Sequence, residues 1–173
     1  RLRLRRLNPL TLIRLRKIRS SDSDHWRVAT QFLEVEYGST QYMEMLKLRE
    51  CELRMPIGLS LTACDLEAEE TQHHFGIFST DEQVCACVAL VIEHHCQRCQ
   101  LRQMVVEPNY QGKGVGRLLY KKVESWCRRS GVHQIQLNAR TSIKDFYGKL
   151  GFNESGAEFN HVTLPHIKMI KLL

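Results

Sequence analysis

The chain has 173 residues, of which 43% are hydrophobic and 25% are charged, and its formal net charge is +6. This composition is typical of one globular domain with a sizeable core, and it excludes a disordered or fibrous chain. The positive charge is confined to one end, because residues 1–19 hold seven arginines and Lys17 but no acidic residue. The remainder has 17 basic and 19 acidic residues, so the overall charge gives no support for nucleic-acid binding.

Residues 1–27 are predicted to form a basic N-terminal arm outside the folded domain. Arginine and leucine alternate there before a serine-rich stretch, a pattern that resembles an organelle transit peptide. A disordered basic arm or an artefact of expression explains the same pattern equally well. Seven cysteines without regular spacing, and no secretory signal, indicate reduced thiols inside the cell. The prediction is a cytoplasmic protein, or an organellar one if the arm is a transit peptide.

The folded domain is predicted to cover residues 28–173 and to begin with a strand. Residues 31–37 alternate apolar and polar side chains, as a half-buried strand does. Ser39 or Thr40 can cap a helix that runs to about Leu53. Residues 59–72 are acidic and polar, which predicts a short helix or an exposed loop.

Three strands are predicted next, over residues 74–79, 84–93 and 99–106. The second is almost entirely apolar, as expected for a strand that is buried on both faces. A helix with one apolar face follows over residues 114–130, and a further strand over 132–138.

The C-terminal part is predicted to contain one short helix and the last strands. Ser142 and Asp145 have the spacing of a capping box for a helix that ends at Leu150, and Gly151 stands at its C-cap position. The final strands are expected over residues 152–159 and 166–172. This order of elements predicts an α+β (mixed α/β) fold with one central sheet.

The segment from Gln111 to Gly116, Q-G-K-G-V-G, is the most informative motif. Its glycines occupy every second position between a predicted strand and a predicted helix, so backbone N–H groups can converge on a ligand near a helix N-terminus. This favours a phosphate or pyrophosphate site. The segment lacks the Ser or Thr of a P-loop, and Asn138 stands where a dinucleotide-binding fold has an acidic residue. A plain strand–helix turn is the alternative.

Two motifs in this order resemble the GNAT superfamily of acetyl-CoA-dependent N-acetyltransferases. The first is L-R-Q-M-V-V-E-P-N-Y-Q-G-K-G-V-G-R-L-L from residue 101, and the second is N-A-R-T-S-I-K-D-F-Y-G-K-L-G-F from residue 138. The resemblance implies a mostly antiparallel twisted sheet of six to seven strands, flanked by about four helices. It also implies that the fourth and fifth strands splay apart.

The same resemblance implies how acetyl-CoA would bind as co-substrate. The loop amides would hold the pyrophosphate, the backbone of the fourth strand would pair with the pantetheine arm, and Asn138 would hydrogen-bond that arm or a water molecule. The residues expected at the site are Met104, Val105, Val106, Gln111, Gly112, Lys113, Gly114, Val115, Gly116, Arg117, Asn138 and Tyr147. Lys121 joins Lys113 and Arg117 as a candidate for phosphate contact, although cations on helix faces are usually only solvated.

For the chemistry, the resemblance implies direct acetyl transfer to a primary amine in a ternary complex, with Tyr147 as general acid toward the leaving thiolate. Without the resemblance, Tyr147 fits a packing stripe with Ile143, Phe146 and Leu150. The general base is not evident from the sequence, and a water chain would serve equally well. The candidates are Glu34, Glu36, His73, His74, His161 and His166, with His166 preferred.

Alternatives remain open at this level. The fold could serve as a non-catalytic acyl-CoA-binding regulatory module, and the chain could form a homodimer. Cys96 and Cys99, preceded by His94 and His95, form a C-x-x-C that could begin a zinc site, but a second ligand pair is not evident and the GNAT superfamily needs no metal. The sequence does not identify the amine acceptor.

Overall fold

The computed structural model describes residues 30–173, so the predicted N-terminal arm lies outside the described residues. The helices and strands are β1 (Thr30–Val35), α1 (Thr40–Arg49), β2 (His73–Ser79), β3 (Val84–Glu93), β4 (Arg98–Val106), α2 (Val115–Arg129), β5 (Gln134–Arg140), α3 (Lys144–Gly148), β6 (Asn153–Glu154), β7 (Phe159–His161) and β8 (Leu164–Leu172). Within residues 30–173, no helix is long and apolar enough to cross a lipid bilayer.

All eight strands belong to one sheet. Its order is β1-β2-β3-β4-β5-β8-β6, and the short β7 pairs with β8. The β4–β5 pair is parallel, and the other recorded pairs are antiparallel. The predicted α+β fold with a mostly antiparallel sheet is therefore confirmed. The sheet has eight strands instead of the expected six to seven, because it includes two very short strands, β6 and β7, of two and three residues.

The sheet separates two apolar layers. On one face, α2 buries Val115, Leu119 and Val123 against the central strands. On the other face, α1 buries Tyr42 and Met45 against a smaller cluster of residues from β2, β3 and β4. Because side chains alternate along a strand, each strand residue can be assigned to the α2 face or the α1 face.

The chain after α1 agrees with the predicted short helix or exposed loop over residues 59–72, since it is mostly exposed and contains the 3-10 turns Ala63–Leu66 and Glu69–Thr71. The helix continues as a π-helical turn, Glu50–Arg54, and a 3-10 turn, Met55–Ile57, so the expected end near Leu53 is confirmed. Beyond it, Glu69 is fully buried, accepts a hydrogen bond from the Tyr42 hydroxyl at 2.6 Å and pairs with the buried Arg49. The acidic segment 59–72 is thus tied to α1 by an internal carboxylate.

The α3 region is shorter than predicted. A 3-10 turn, Thr141–Ile143, precedes α3, and Ile143 is the N-cap without a side-chain capping bond, so the predicted Ser142–Asp145 capping box is wrong. β5 ends at Arg140, two residues after the expected end of that strand, and the chain passes directly into the 3-10 turn, so Ser142 lies inside the turn and not at an N-cap. The C-cap of α3 is Lys149, so Gly151, the predicted C-cap with a φ of +90°, lies two residues beyond the observed one.

Candidate functional site

The site is built where β4 and β5 part. Their parallel pairing extends from Arg98 opposite Gln134 to Leu101 opposite Leu137 and goes no further. Beyond Leu101, the edge of β4 that faces β5 has no strand partner among the described residues. Backbone N–H and C=O groups need hydrogen-bond partners, so an extended ligand can add to this edge as a strand would. The predicted splay is confirmed.

A β-bulge lies at the same point. Ala89 of β3 stands opposite Arg102, whereas Cys87 stands opposite Val105, so β4 contains one extra residue. Gln103 lies at the bulge with a φ of +52°. The insertion changes the face of the residues that follow: Val105 packs on the α1 face, while Met104 packs toward the α2 face.

The glycine-rich loop joins β4 to α2. Gly112 and Gly114 have φ values of +71° and +85°, a region that favours glycine. The Gln111 side chain donates a hydrogen bond from Nε2 to the Val106 carbonyl at 2.9 Å, which fastens the loop to the end of β4. Gly114 is the N-cap of α2 and makes no side-chain capping bond, so the N–H groups of the first turn are available to an anion.

Gly116 allows α2 to lie close to β4. A Cβ atom at this position would stand 3.2 Å from Cγ2 of Val106 and 3.5 Å from Cζ of Phe146. Next to it, Val115 is completely buried and anchors the helix start. A larger residue at 116 would widen the space between the helix and the strand.

The three cations proposed for phosphate contact are all exposed. Lys113 lies in the loop, and its Nζ is 5.9 Å from the centre of the Tyr110 ring. Arg117 lies in the first turn of α2, and Lys121 lies one turn further along the helix. Their contact with phosphate stays a prediction.

A cleft of about 690 Å³ opens between the diverging strands. Of the residues singled out from the sequence, it brings together Met104, Asn138, Tyr147, His161 and His166. The glycine loop is not part of its lining. The predicted catalytic residues therefore share one cavity, and the predicted pyrophosphate loop lies outside it, after the end of β4.

Tyr147 projects from α3 to the wall of this cleft. It is only 6% exposed, and its ring meets those of Phe146 and Phe152 edge-on, with centroids 5.1 and 5.8 Å away. Burial raises the pKa of Tyr147 to about 12, so the hydroxyl keeps its proton at neutral pH. The alternative prediction, a packing stripe that Tyr147 shares with Ile143, holds only in part, because Ile143 is 45% exposed.

Two of the six candidate bases lie in the cleft. Nδ1 of His166 is 2.9 Å from the Leu164 carbonyl, which assigns the ring proton to Nδ1 and leaves Nε2 as an acceptor in the neutral ring. The His161 ring lies edge-on to it, with centroids 5.3 Å apart. Burial, with the nearby His166 and Arg54, lowers the pKa of His161 below its ordinary value.

The other four candidates do not line the cleft. His73 pairs with Glu34 at 2.8 Å across β1 and β2. His74 is buried, with Nε2 2.9 Å from the Glu69 carbonyl. Glu36 is exposed just after β1. The alternation of polar and apolar residues along these strands does not show where in the sheet the cleft forms, so the sequence could not exclude these four residues.

The C-x-x-C does not behave as a chelating pair. Cys99 is fully buried beside Cys127, whereas Cys96 lies in the surface turn with its Sγ 3.1 Å from Nε of Arg98. Among the described residues, Glu93, His95 and Cys96 come close enough together to hold a metal ion. Arg98 already supplies a positive charge to Glu93 and Cys96, which disfavours a cation there.

Sequence reasoning missed three arginines of the cleft. Arg54 is held by Asp65 at 2.6 Å, and Arg140 donates a hydrogen bond to the Leu53 carbonyl at 3.0 Å. Arg102 lies beside the bulge. A signal exists for two of them, since Arg102 lies within β4 and Arg140 is the last residue of β5. It becomes informative only when the β4–β5 register is known.

Two proteins of Bacillus subtilis have sequences similar to this chain. The sequence is 36% identical over 75 residues to the uncharacterized N-acetyltransferase YitI of Bacillus subtilis, covering 43% of this chain and 50% of that protein. It is 24% identical over 103 residues to YyaT of the same organism, an uncharacterized protein, covering 60% of this chain and 68% of the other. The chain thus spans about half and two thirds of these relatives.

The fold also matches solved structures. An acyl-CoA N-acyltransferase from Pseudomonas aeruginosa superposes with a TM-score of 0.69 at 17% identity, covering 82% of this chain and 97% of that one. The model of the acetyltransferase (GNAT) domain matches residues 62–173, which include the splayed strands, the glycine loop and Tyr147. Because this match covers more than half of the sequence, the chain belongs to the GNAT family of acetyltransferases.

Proposed function

We propose that the protein is an N-acetyltransferase that transfers the acetyl group of acetyl-CoA directly to a primary amine. The observation that carries this proposal is the combination of an unpaired β4 edge, a glycine loop at its end and a protonated tyrosine in the adjoining cleft. Together these would hold a thioester along the strand and place its sulfur near a proton donor. We also propose an intracellular location, because acetyl-CoA would be the co-substrate and seven cysteines without a regular spacing suit a reducing compartment.

Binding of the donor would use mostly backbone groups. The amides from Gln111 to Gly116 and the N-terminus of α2 suit the pyrophosphate, and the backbone of Met104 to Val106 suits the amides of the pantetheine arm. The close approach of α2 to β4 at Gly116 supports this assignment, since a side chain there would meet Val106. Asn138, exposed on the facing strand, would hydrogen-bond the same arm.

The transfer balances as one nucleophilic substitution. A nitrogen–carbon bond forms to the thioester carbonyl, the carbon–sulfur bond breaks, and the amine loses one proton while the departing thiolate gains one. Tyr147 would supply the proton that the thiolate gains, since its hydroxyl is protonated at neutral pH. Backbone N–H groups on the free edge of β4 would stabilise the oxyanion.

Proton removal from the amine is assigned to the histidines of the cleft. An alkylammonium has a pKa of about 10.4, so it must be deprotonated before the amine can attack. Nε2 of His166 is the acceptor in the neutral ring, because Nδ1 is engaged with the Leu164 carbonyl. We assign His166 as the base, acting directly or through a water molecule. Holding both reactants in one cleft would supply much of the rate.

The test is a thermal-shift titration with acetyl-CoA, followed by a screen of primary amines for release of free thiol. Acetyl-CoA at about 100 times its Kd should add about 2.7 kcal/mol to the stability. Binding followed by amine-dependent thiol release supports the proposal. Binding without turnover across the panel would instead favour a non-catalytic acyl-CoA-binding module. Failure of a well-folded protein to bind acetyl-CoA would exclude both functions.

A further inference from the structure

The cleft holds more positive than negative charge. Its charged lining residues are Arg54, Asp65, Glu93, Arg102 and Arg140. Both carboxylates are already engaged: Asp65 lies 2.6 Å from Arg54, and Glu93 lies 3.2 Å from Arg98 on the hairpin. Within residues 30–173, no carboxylate forms a salt bridge with Arg102 or Arg140. Two guanidinium groups in the cleft therefore have no counter-ion among the described residues.

The partial burial of the Arg140 cation is energetically unfavourable. Arg140 is partly buried, and its recorded hydrogen bond is to the Leu53 carbonyl, a neutral acceptor. Burial lowers the pKa of Arg140, and the neighbouring charge of Arg54 lowers it further. A desolvated cation without an opposite charge is unfavourable, so an anion that enters the cleft would relieve this cost.

The two arginines lie on the face of the sheet that is turned away from α2. Leu101 and Leu137 pack in the core beneath α2. Because side chains alternate along a strand, their neighbours Arg102 and Asn138 point to the α1 face. Arg140 lies two residues after Asn138 on β5 and therefore points to the same face. The glycine loop leads into α2 on the opposite side. These arginines are therefore poorly placed for the phosphates of a coenzyme at the loop.

His166 shares the face of Arg140. The two residues stand directly opposite each other in the antiparallel β5–β8 pair, where Cβ atoms are separated by about 4.5–5.5 Å. Arg102 is also one of the charges that lower the pKa of His161, the other cleft histidine. An anion held by the arginines would thus lie within a few atoms of an amine facing the histidines.

We propose that the acceptor is a short amine that also carries an anionic group, and that Arg102 and Arg140 bind this group. The inference rests on the proposed N-acetyltransferase function and names its substrate class. The fork of a guanidinium matches a carboxylate or a phosphate in two parallel hydrogen bonds. The Arg54–Asp65 pair forms the neighbouring wall of the pocket.

The test compares three amines of similar length at saturating acetyl-CoA: β-alanine, 2-aminoethyl phosphate and n-propylamine. The parent should acetylate at least one anionic amine with a kcat/KM more than about tenfold above that of n-propylamine. Arg102→Gln and Arg140→Gln should each lower this value by about tenfold to a hundredfold, which corresponds to loss of a charged hydrogen bond, and should lower the value for n-propylamine by much less. Which anion is preferred identifies its chemistry.

The matched control is Arg129→Gln, which removes an exposed arginine of α2 that bonds to Ser125. It should leave all three kcat/KM values unchanged. Thermal unfolding and the acetyl-CoA Kd check that each variant is folded and binds the donor, and Arg140→Lys keeps the charge if Arg140→Gln is unstable. Equal use of the three amines by parent and variants would overturn the anion proposal and leave the N-acetyltransferase function intact.

A second measurement is independent of turnover. In protein labelled with ¹⁵N-arginine, with and without acetyl-CoA, the side-chain Nε–H signals of Arg102 and Arg140 are followed during titration with the same three amines. Shifts caused by β-alanine or 2-aminoethyl phosphate, but not by n-propylamine, would support the anion site even if no amine is acetylated. Absence of any shift at millimolar concentrations would overturn it. Failure of acetyl-CoA to bind would count against the proposed function separately.

Discussion

At the scale of single residues, burial gives Tyr147 two roles. Its ring packs between Phe146 and Phe152, and its hydroxyl, whose pKa burial raises to about 12, is protonated at neutral pH and can act as a proton donor at the cleft wall. We expect Tyr147→Phe to retain the packing and lose the proton donor. With a general acid removed, kcat should fall by about 10²–10⁴-fold, while the acetyl-CoA Kd and the thermal midpoint stay close to the parent values. Thiol-release kinetics and thermal unfolding measure these quantities.

Tyr120→Phe is the matched control. Tyr120 lies on α2, is 1% exposed and has a buried hydroxyl without a hydrogen-bond partner among the described residues. Removing that hydroxyl should leave kcat unchanged and should not reduce stability, because an unsatisfied buried polar group is itself unfavourable. Similar losses of kcat in both variants would contradict a specific role for Tyr147.

At the scale of secondary-structure elements, the glycine loop depends on left-handed backbone geometry. We expect Gly114→Ala to strain the N-cap of α2, where φ is +85°, by about 1–2 kcal/mol and to turn the loop amides away from their common direction. The acetyl-CoA Kd should rise at least about tenfold. Isothermal titration calorimetry measures the Kd, and urea unfolding measures the stability.

The control for this change is Gly131→Ala at the other end of the same helix. Gly131 has a φ of +74°, close to the +85° of Gly114, so the backbone strain is comparable but remote from the loop. The two variants should lose similar stability, and only Gly114→Ala should weaken acetyl-CoA binding. Unchanged binding in Gly114→Ala would argue against the loop as the pyrophosphate site.

The segment 59–72 is fastened to α1 by Glu69. This carboxylate is fully buried, pairs with Arg49 and accepts a hydrogen bond from the Tyr42 hydroxyl. We expect Glu69→Gln to cost about 3–5 kcal/mol in the free energy of unfolding, because it leaves the buried guanidinium without its counter-ion. Glu70→Gln changes an exposed neighbour and should alter stability by less than about 0.5 kcal/mol. Urea unfolding of both variants checks this, and equal effects would contradict it.

Elements with a strong local pattern were predictable from the sequence. The apolar run of β3, the strand before the glycine loop and the helix after it are confirmed within a residue or two. The burial of Glu69 was not predictable, because an acidic residue in a polar segment is normally exposed, and its partner Arg49 lies 20 residues away. The capping box failed because Ser142 lies inside a 3-10 turn and the N-cap of α3 is Ile143.

At the scale of the whole molecule, the candidate site depends on pairings between distant segments. The glycine loop and Tyr147 were found because each lies in a local motif. Arg102 and Arg140 were missed because their juxtaposition follows from the parallel β4–β5 register and from the one-residue bulge at Gln103. Neither feature leaves a periodic trace in the sequence, so the motifs proposed to bind the donor were recognisable from the sequence, and the arginines proposed to bind the acceptor were not.

The stability of the folded domain should also depend on pH through His74. Its Nε2 bonds to the Glu69 carbonyl, and its Nδ1 is buried without a partner among the described residues. Burial lowers the pKa of His74 in the folded state, whereas in the unfolded chain it returns to about 6.5. The unfolded state therefore binds the extra proton below about pH 6.5, so the stability that His74 contributes is fully present above that pH and is lost as the pH falls.

We expect the free energy of unfolding to decline below about pH 6.5, with His74 contributing at most about 1.4 kcal/mol for each pH unit. Glutamine at this position can still donate to the Glu69 carbonyl but does not titrate. His74→Gln should therefore lose about 1 kcal/mol less than the parent between pH 7.5 and 5.5 in urea unfolding. His95→Gln, on the exposed hairpin, should keep the parent's pH dependence. If His74→Gln kept it as well, the acid sensitivity would have to arise from other groups, of which His161 in the cleft is the first to test.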